Sequence, residues 1–163
     1  MIHILTTGGT IEGLDYKDES FKNLDSEVTI RKLLLRFKID YEYSIKQILS
    51  KDSRFIDELD REFIAKEIKT SKVNKILITH GTYTMVETAQ YLAKSELNKV
   101  IVLTGAFILG TEESTDAPFN LEFALDTLSY LNKGVYIAMH GRIFYWDNVR
   151  KNVEQNRFET LSE

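Results

Sequence analysis

Lys75-Ile76-Leu77-Ile78-Thr79-His80-Gly81-Thr82-Tyr83-Thr84 is the stretch that decides the fold. Its aliphatic run has no polar alternation, which marks a strand covered on both faces. His80-Gly81-Thr82 then breaks the strand, and Thr84, three residues ahead of Glu87, reads as the start of a capping box for a helix over 84–94. A buried strand that feeds straight into a helix is half of a βαβ unit.

Working outward, short runs rich in Ile, Val and Leu recur at 2–5, 41–49, 99–104 and 134–139, and segments with helical spacing fall at 26–37, 57–69 and 119–131. Asp57 and Asp116-Ala117-Pro118 read as helix starts with an acceptor cap or an early proline. Strands alternating with helices predict an α/β fold, a doubly wound and mostly parallel sheet with helices on both faces. The segment 12–23 is polar and aperiodic and reads as a mobile loop, and the polar tail after Lys151 reads as fraying.

The composition fits this frame. At 163 residues the chain is the size of one domain, so 1–163 is expected to fold as a single unit. A net charge of −4 supplies no basic face for nucleic acid, and no stretch approaches the roughly 20 apolar residues of a membrane span. The absence of cysteine removes disulfides and thiolate metal sites and fits a reducing compartment, so a soluble, unprocessed cytoplasmic protein is expected. Three scattered histidines without ligand spacing predict no metal centre.

In an open parallel sheet, ligands bind outside the carboxyl ends of the strands. The residues found there are Thr6-Thr7-Gly8-Gly9-Thr10, Ser50-Lys51-Asp52-Ser53, His80-Gly81-Thr82-Tyr83-Thr84, Thr104-Gly105-Ala106 and His140-Gly141-Arg142. Each set is polar, small or glycine, so a pocket is expected at that end. The glycine pair leaves Thr10 above the sheet as a nucleophile, as part of an anion nest, or merely as part of a tight turn. Thr82 sits at a helix start, where amides favour negative charge. His80, at the end of a buried strand, reads first as a hydrogen-bonded structural histidine. A hydroxyl nucleophile needs a base. Lys151 is one candidate, and by itself reads as a solvated lysine; Tyr16 is either catalytic or an ordinary loop residue.

Four stretches, in this order and spacing, resemble the bacterial-type L-asparaginase family, specifically its larger N-terminal domain: Thr7-Gly8-Gly9-Thr10-Ile11; Ile78 through Met85 with Glu87-Thr88-Ala89; Val102-Leu103-Thr104-Gly105-Ala106; and Asp116-Ala117-Pro118-Phe119-Asn120-Leu121. The resemblance implies a flavodoxin- or Rossmann-like three-layer fold and a hydrolase of side-chain amides that needs no cofactor. It implies Thr10 as nucleophile, Thr82 working with Lys151, and Tyr16 as the catalytic loop tyrosine at a shorter spacing than usual. For substrate binding it implies Gly9, Asp52, Ser53, Gly81, Tyr83 and Ala106, with Ser53 on the substrate carboxylate. The expected ligand is a small amide or carboxylate. Assembly into a homodimer or higher homo-oligomer is expected, since the family does so and this chain stops shortly after Lys151, where relatives continue into a second domain that covers a neighbour's site. One departure matters: the family motif reads His-Gly-Thr-Asp-Thr, and Tyr83 stands at the aspartate that pairs with a substrate ammonium. That implies a substrate other than free asparagine, or else a pocket that binds without turnover.

Overall fold

In the computed structural model, residues 1–14 and 26–162 are described. Tyr16 and most of the expected loop over 12–23 lie outside them. Strands β1 (Ile2–Thr6), β2 (Tyr43–Gln47), β3 (Lys75–Thr79), β4 (Val100–Thr104), β5 (Gly134–Met139) and β6 (Arg142–Tyr145) form one sheet in the order β2-β1-β3-β4-β5-β6. The first five are parallel and β6 returns antiparallel through a His140-Gly141 turn, both residues left-handed. β4 is buried throughout, and β3 and β5 at all but their first residue, as their aliphatic runs require.

Helices α1 (Ser26–Leu34), α2 (Glu58–Thr70), α3 (Met85–Lys94) and α4 (Ala117–Thr127) cover the two faces. On one face Ile4, Leu77 and Val102 meet Ile30 and Leu33 of α1 and Leu121 and Leu125 of α4. On the other, Leu5, Ile78 and Leu103 meet Ile64 and Ile68 of α2 and Ala89 and Leu92 of α3. Full burial of such side chains contributes about 1.5–3 kcal/mol each, so the sandwich is held from both faces. The doubly wound α/β architecture is as the sequence predicts. Strand order reverses between β1 and β3, and there the crevice for a ligand opens.

Three local expectations are corrected. Thr84 does precede α3, but its side chain makes no cap; its hydroxyl donates to the carbonyl of Ser53 at 2.6 Å, and Ser53 Oγ accepts from the Tyr83 and Thr84 amides instead. The capping box forms at α2, between Asp57 and Asp60. At α4 the early-proline reading holds, with Pro118 in the first turn, while the Asp116 carboxylate makes no cap because a neighbouring loop takes it. The tail does not fray: β7 (Arg150–Asn152) and β8 (Arg157–Glu159) pair antiparallel as a separate hairpin, anchored by the buried ring of Phe158. Glu12, assigned to the mobile loop, is wholly buried in a 3-10 turn over Thr10–Glu12.

Candidate active site

Three strand-end turns interlock. Gly9 adopts φ 88°, in the left-handed region, and a Cβ there would stand 2.6 Å from the Cα and N of Gly81. A Cβ on Gly81 would in turn meet Ser53 Oγ at 2.6 Å. The glycines thus let the turns after β1 and β3 touch backbone to backbone and seat the Ser53 side chain against Gly81. Side chains lock the arrangement: Thr7 Oγ1 donates to the Thr79 carbonyl and Thr79 Oγ1 donates to Glu12, both at 2.7 Å. Thr10 is left half-buried at the rim, its carbonyl accepting from the Gly13 and Gly110 amides.

A cleft of about 330 Å3 opens above these turns. Gly9, Thr10, Asp52, Ser53, Gly81, Thr82, Tyr83, Ala106 and Lys151 all line it, so nine of the ten expected site residues come together; the tenth, Tyr16, is outside the described residues. Lys151 Nζ lies 2.8 Å from Thr82 Oγ1. Pairing of Lys151 with the anchoring Phe158 brings the lysine back over the sheet, and burial holds its ammonium below the ordinary lysine range. Leu14, Arg54, Phe107, Val153 and Asn156 also line the cleft. Sequence reading passed over them, although Arg54 and Phe107 directly follow flagged residues and the last two sit on the unforeseen hairpin.

Asp52 is the only carboxylate among the described residues lining the cleft, and Arg54 neutralises it through its guanidinium, Nη2 at 3.0 Å, and its amide at 2.9 Å. Ser53, expected on a substrate carboxylate, is buried and spends its hydroxyl oxygen on the Tyr83 and Thr84 amides.

Behind the cleft, Asp116 holds the loop that carries Ala106. Its carboxylate accepts from the amides of Phe107 and Ile108, from Asn120 Nδ2 at 2.9 Å and from His140 Nε2 at 2.7 Å. Burial alone would raise this carboxyl, but the His140 bond and the amides outweigh it and hold it below the usual range. Asn120 completes the brace by donating to the Gly105 carbonyl and accepting from the His140 amide.

His80 is structural, as its place in the strand suggests. Thr88 Oγ1 accepts from Arg61 and so donates to His80 Nε2 at 2.9 Å, leaving Nδ1–H for the Gly81 carbonyl at 2.7 Å. Burial lowers its pKa to about 4, against a weaker opposing pull from the Gly81 bond. The folded state therefore refuses a proton that the unfolded chain accepts near 6.5, so the neutral histidine stabilises above that value and stability falls as pH drops toward 4. Urea unfolding at pH 7 and pH 4 is expected to show the native chain losing on the order of 3 kcal/mol more than His80→Gln over that interval. Equal losses in the two proteins would mean that His80 does not titrate this way.

Among the described residues, no group of three or more His, Asp or Glu could hold a metal ion, and no helix is long and apolar enough to cross a membrane.

Fold and cleft together define a doubly wound α/β protein with a cleft at the β1/β3 switch point, lined by two threonines, a lysine and interlocking glycine turns. The chain belongs to the asparaginase family: the family model "Asparaginase, N-terminal" matches residues 1–162. L-asparaginase 2 of Escherichia coli (strain K12) is 31% identical over 164 residues, 92% of this chain and 46% of the relative. A glutamyl-tRNA(Gln) amidotransferase subunit from Methanococcus vannielii is 34% identical over 153 residues, 87% of this chain and 34% of that protein. The solved thermostable L-asparaginase from Thermococcus kodakarensis superposes with a TM-score of 0.87 at 29% identity, covering 99% of this chain and 51% of that one. The chain thus spans about half or less of the length of these relatives.

Proposed function

We propose that this domain hydrolyses a primary carboxamide through an acyl-enzyme on Thr10. The observation that carries the reading is the 2.8 Å contact between Lys151 Nζ and Thr82 Oγ1 in the same cleft as Thr10. With Lys151 neutral, Thr10 Oγ attacks the amide carbon and its proton passes by way of Thr82 to the lysine. The C–N bond breaks as the nitrogen takes up a proton and leaves as ammonia. Water then cleaves the ester, releasing the acid and restoring the Thr10 hydroxyl. The burial that lowers Lys151 favours the neutral form this step requires. Backbone amides beside Thr82 and Ala106 would stabilise the oxyanion.

The charges in the cleft disfavour an amide that carries an α-ammonium group. A substrate ammonium would find Asp52 already neutralised by Arg54 and the phenol of Tyr83 in place of an acid. Burying an ammonium without a counter-charge costs several kcal/mol. Ammonia release from succinamic acid is therefore expected to exceed that from asparagine, its α-amino analogue, at least about 100-fold in kcat/KM. No ammonia from any amide in a panel of dicarboxylic monoamides would sink the proposal. Tyr83 also favours a second reading, a ligand-binding domain without turnover, in which succinamate raises the melting temperature and is recovered intact.

A further inference from the structure

Tyr83 and Phe107 face Lys151 with their rings. Lys151 Nζ lies 5.5 Å from the Tyr83 ring centroid and 5.3 Å from that of Phe107, both inside the roughly 6 Å range of a cation–π contact. Neither ring is there by accident of a loose surface. The Phe107 amide is pinned to Asp116, and its ring packs on His140 at 5.2 Å and on Phe158 at 6.0 Å. The Tyr83 amide is pinned to Ser53 Oγ, yet its side chain is 60% exposed, with no hydrogen bond from its hydroxyl among the described residues. A tyrosine with its hydroxyl unused and its ring toward an ammonium is being used for its face.

We propose that Tyr83 and Phe107 form an aromatic clamp on Lys151, a pair of positioning residues that holds the ammonium against Thr82 and sets the pH at which the lysine becomes a base. Ring faces attract the cation and not the neutral amine, so the clamp opposes the burial that favours the neutral amine. The acidic groups nearby are engaged: Asp52 pairs with Arg54 on the cleft wall, Glu159 with Arg150 beside the lysine on the hairpin, and the Asp116 carboxylate behind Phe107 is bonded to His140 and to the Phe107 and Ile108 amides. With no unpaired carboxylate on Lys151 among the described residues, the rings are the main counterweight to its burial. Tyr83 thereby has a use in the catalytic step separate from its effect on substrate choice.

The catalytic consequence rests on the amidase reading; the clamp is testable without it. The probe is the 13Cε chemical shift of Lys151 in 13C,15N-labelled protein, assigned by its loss in Lys151→Arg and followed from pH 6 to pH 12. Tyr83→Leu is expected to lower the titration midpoint by roughly half to one pH unit, while Tyr83→Phe, which keeps the ring, leaves it in place. Phe107→Leu should move it the same way and serves as the second variant. In ammonia-release assays the acid limb of kcat/KM should shift down in pH by the same amount in Tyr83→Leu. An unchanged midpoint in Tyr83→Leu, or an equal fall in Tyr83→Phe, overturns the clamp. Movement of the midpoint with no ammonia from any amide keeps the clamp and removes the amidase; turnover with an unmoved midpoint does the reverse.

Discussion

Thr10→Ala is expected to abolish ammonia release from every amide the native chain consumes, by at least about 10⁴-fold in kcat, because removing the attacking atom leaves only binding and oxyanion contributions. The variant should keep its fold: the bonds Thr10 makes to Gly13 and Gly110 use its carbonyl, which alanine retains, and its side chain is at the cleft rim and not in the core. Thr10→Ser restores a hydroxyl at the same backbone position and should recover a measurable share of the activity. Single-turnover assays with succinamate, beside circular dichroism of both variants, separate chemistry from folding. If the alanine variant turns over within tenfold of the native rate, the nucleophile is not Thr10.

Gly9→Ala is expected to damage both stability and turnover. At φ 88° a Cβ carries strain of about 1–3 kcal/mol, as for any non-glycine residue held in a sparse region. The second cost is particular to the site: the new carbon overlaps the backbone of Gly81 at 2.6 Å, which no rotamer change relieves. The turn after β1 must therefore back away from the turn after β3, carrying Thr10 from Thr82. Gly141→Ala is the control, since Gly141 also has positive φ (74°) but a Cβ there meets nothing nearer than Phe119 Cζ at 3.6 Å. Urea midpoints should show Gly9→Ala clearly the more destabilised, with an activity loss greater than its unfolded fraction explains. Equal destabilisation of the two variants would argue that the approach of the two turns matters little.

How far the sequence could be read follows from which signals were local. Unbroken aliphatic runs such as 75–79 report burial directly, and residues beyond β1, β2, β3 and β4 line the cleft because parallel topology brings their carboxyl ends to one edge, whereas His140-Gly141-Arg142 after β5 does not line it. Thr84 looked like a cap because Glu87 follows at the right spacing, but Ser53, distant in sequence, took the amides first, and no local pattern reveals such a competitor. Asp116 was diverted in the same way by the Phe107 and Ile108 amides. The hairpin was missed because β8 is only Arg157–Glu159, with Phe158 as its one buried apolar residue, too short for any periodicity. Arg54, Phe107, Val153 and Asn156 have positions that depend on those non-local events. Lys151 was only one candidate base, read by itself as a solvated lysine, until family likeness singled it out, since nothing in its neighbours marks it as half-buried.

That hairpin shares no strand with the six-stranded sheet, and it is the piece on which Lys151 sits. Two-stranded hairpins are marginal by themselves, and proteins open first where few strands are paired. Assembly of the cleft and folding of the chain are accordingly expected to be separable equilibria, joined through the packing of Phe158 against Phe107 and Phe144 and through the Lys151–Thr82 contact. Amide exchange along 150–152 reports the first equilibrium and exchange along β3 the second, so a site emptied of its lysine need not be an unfolded protein.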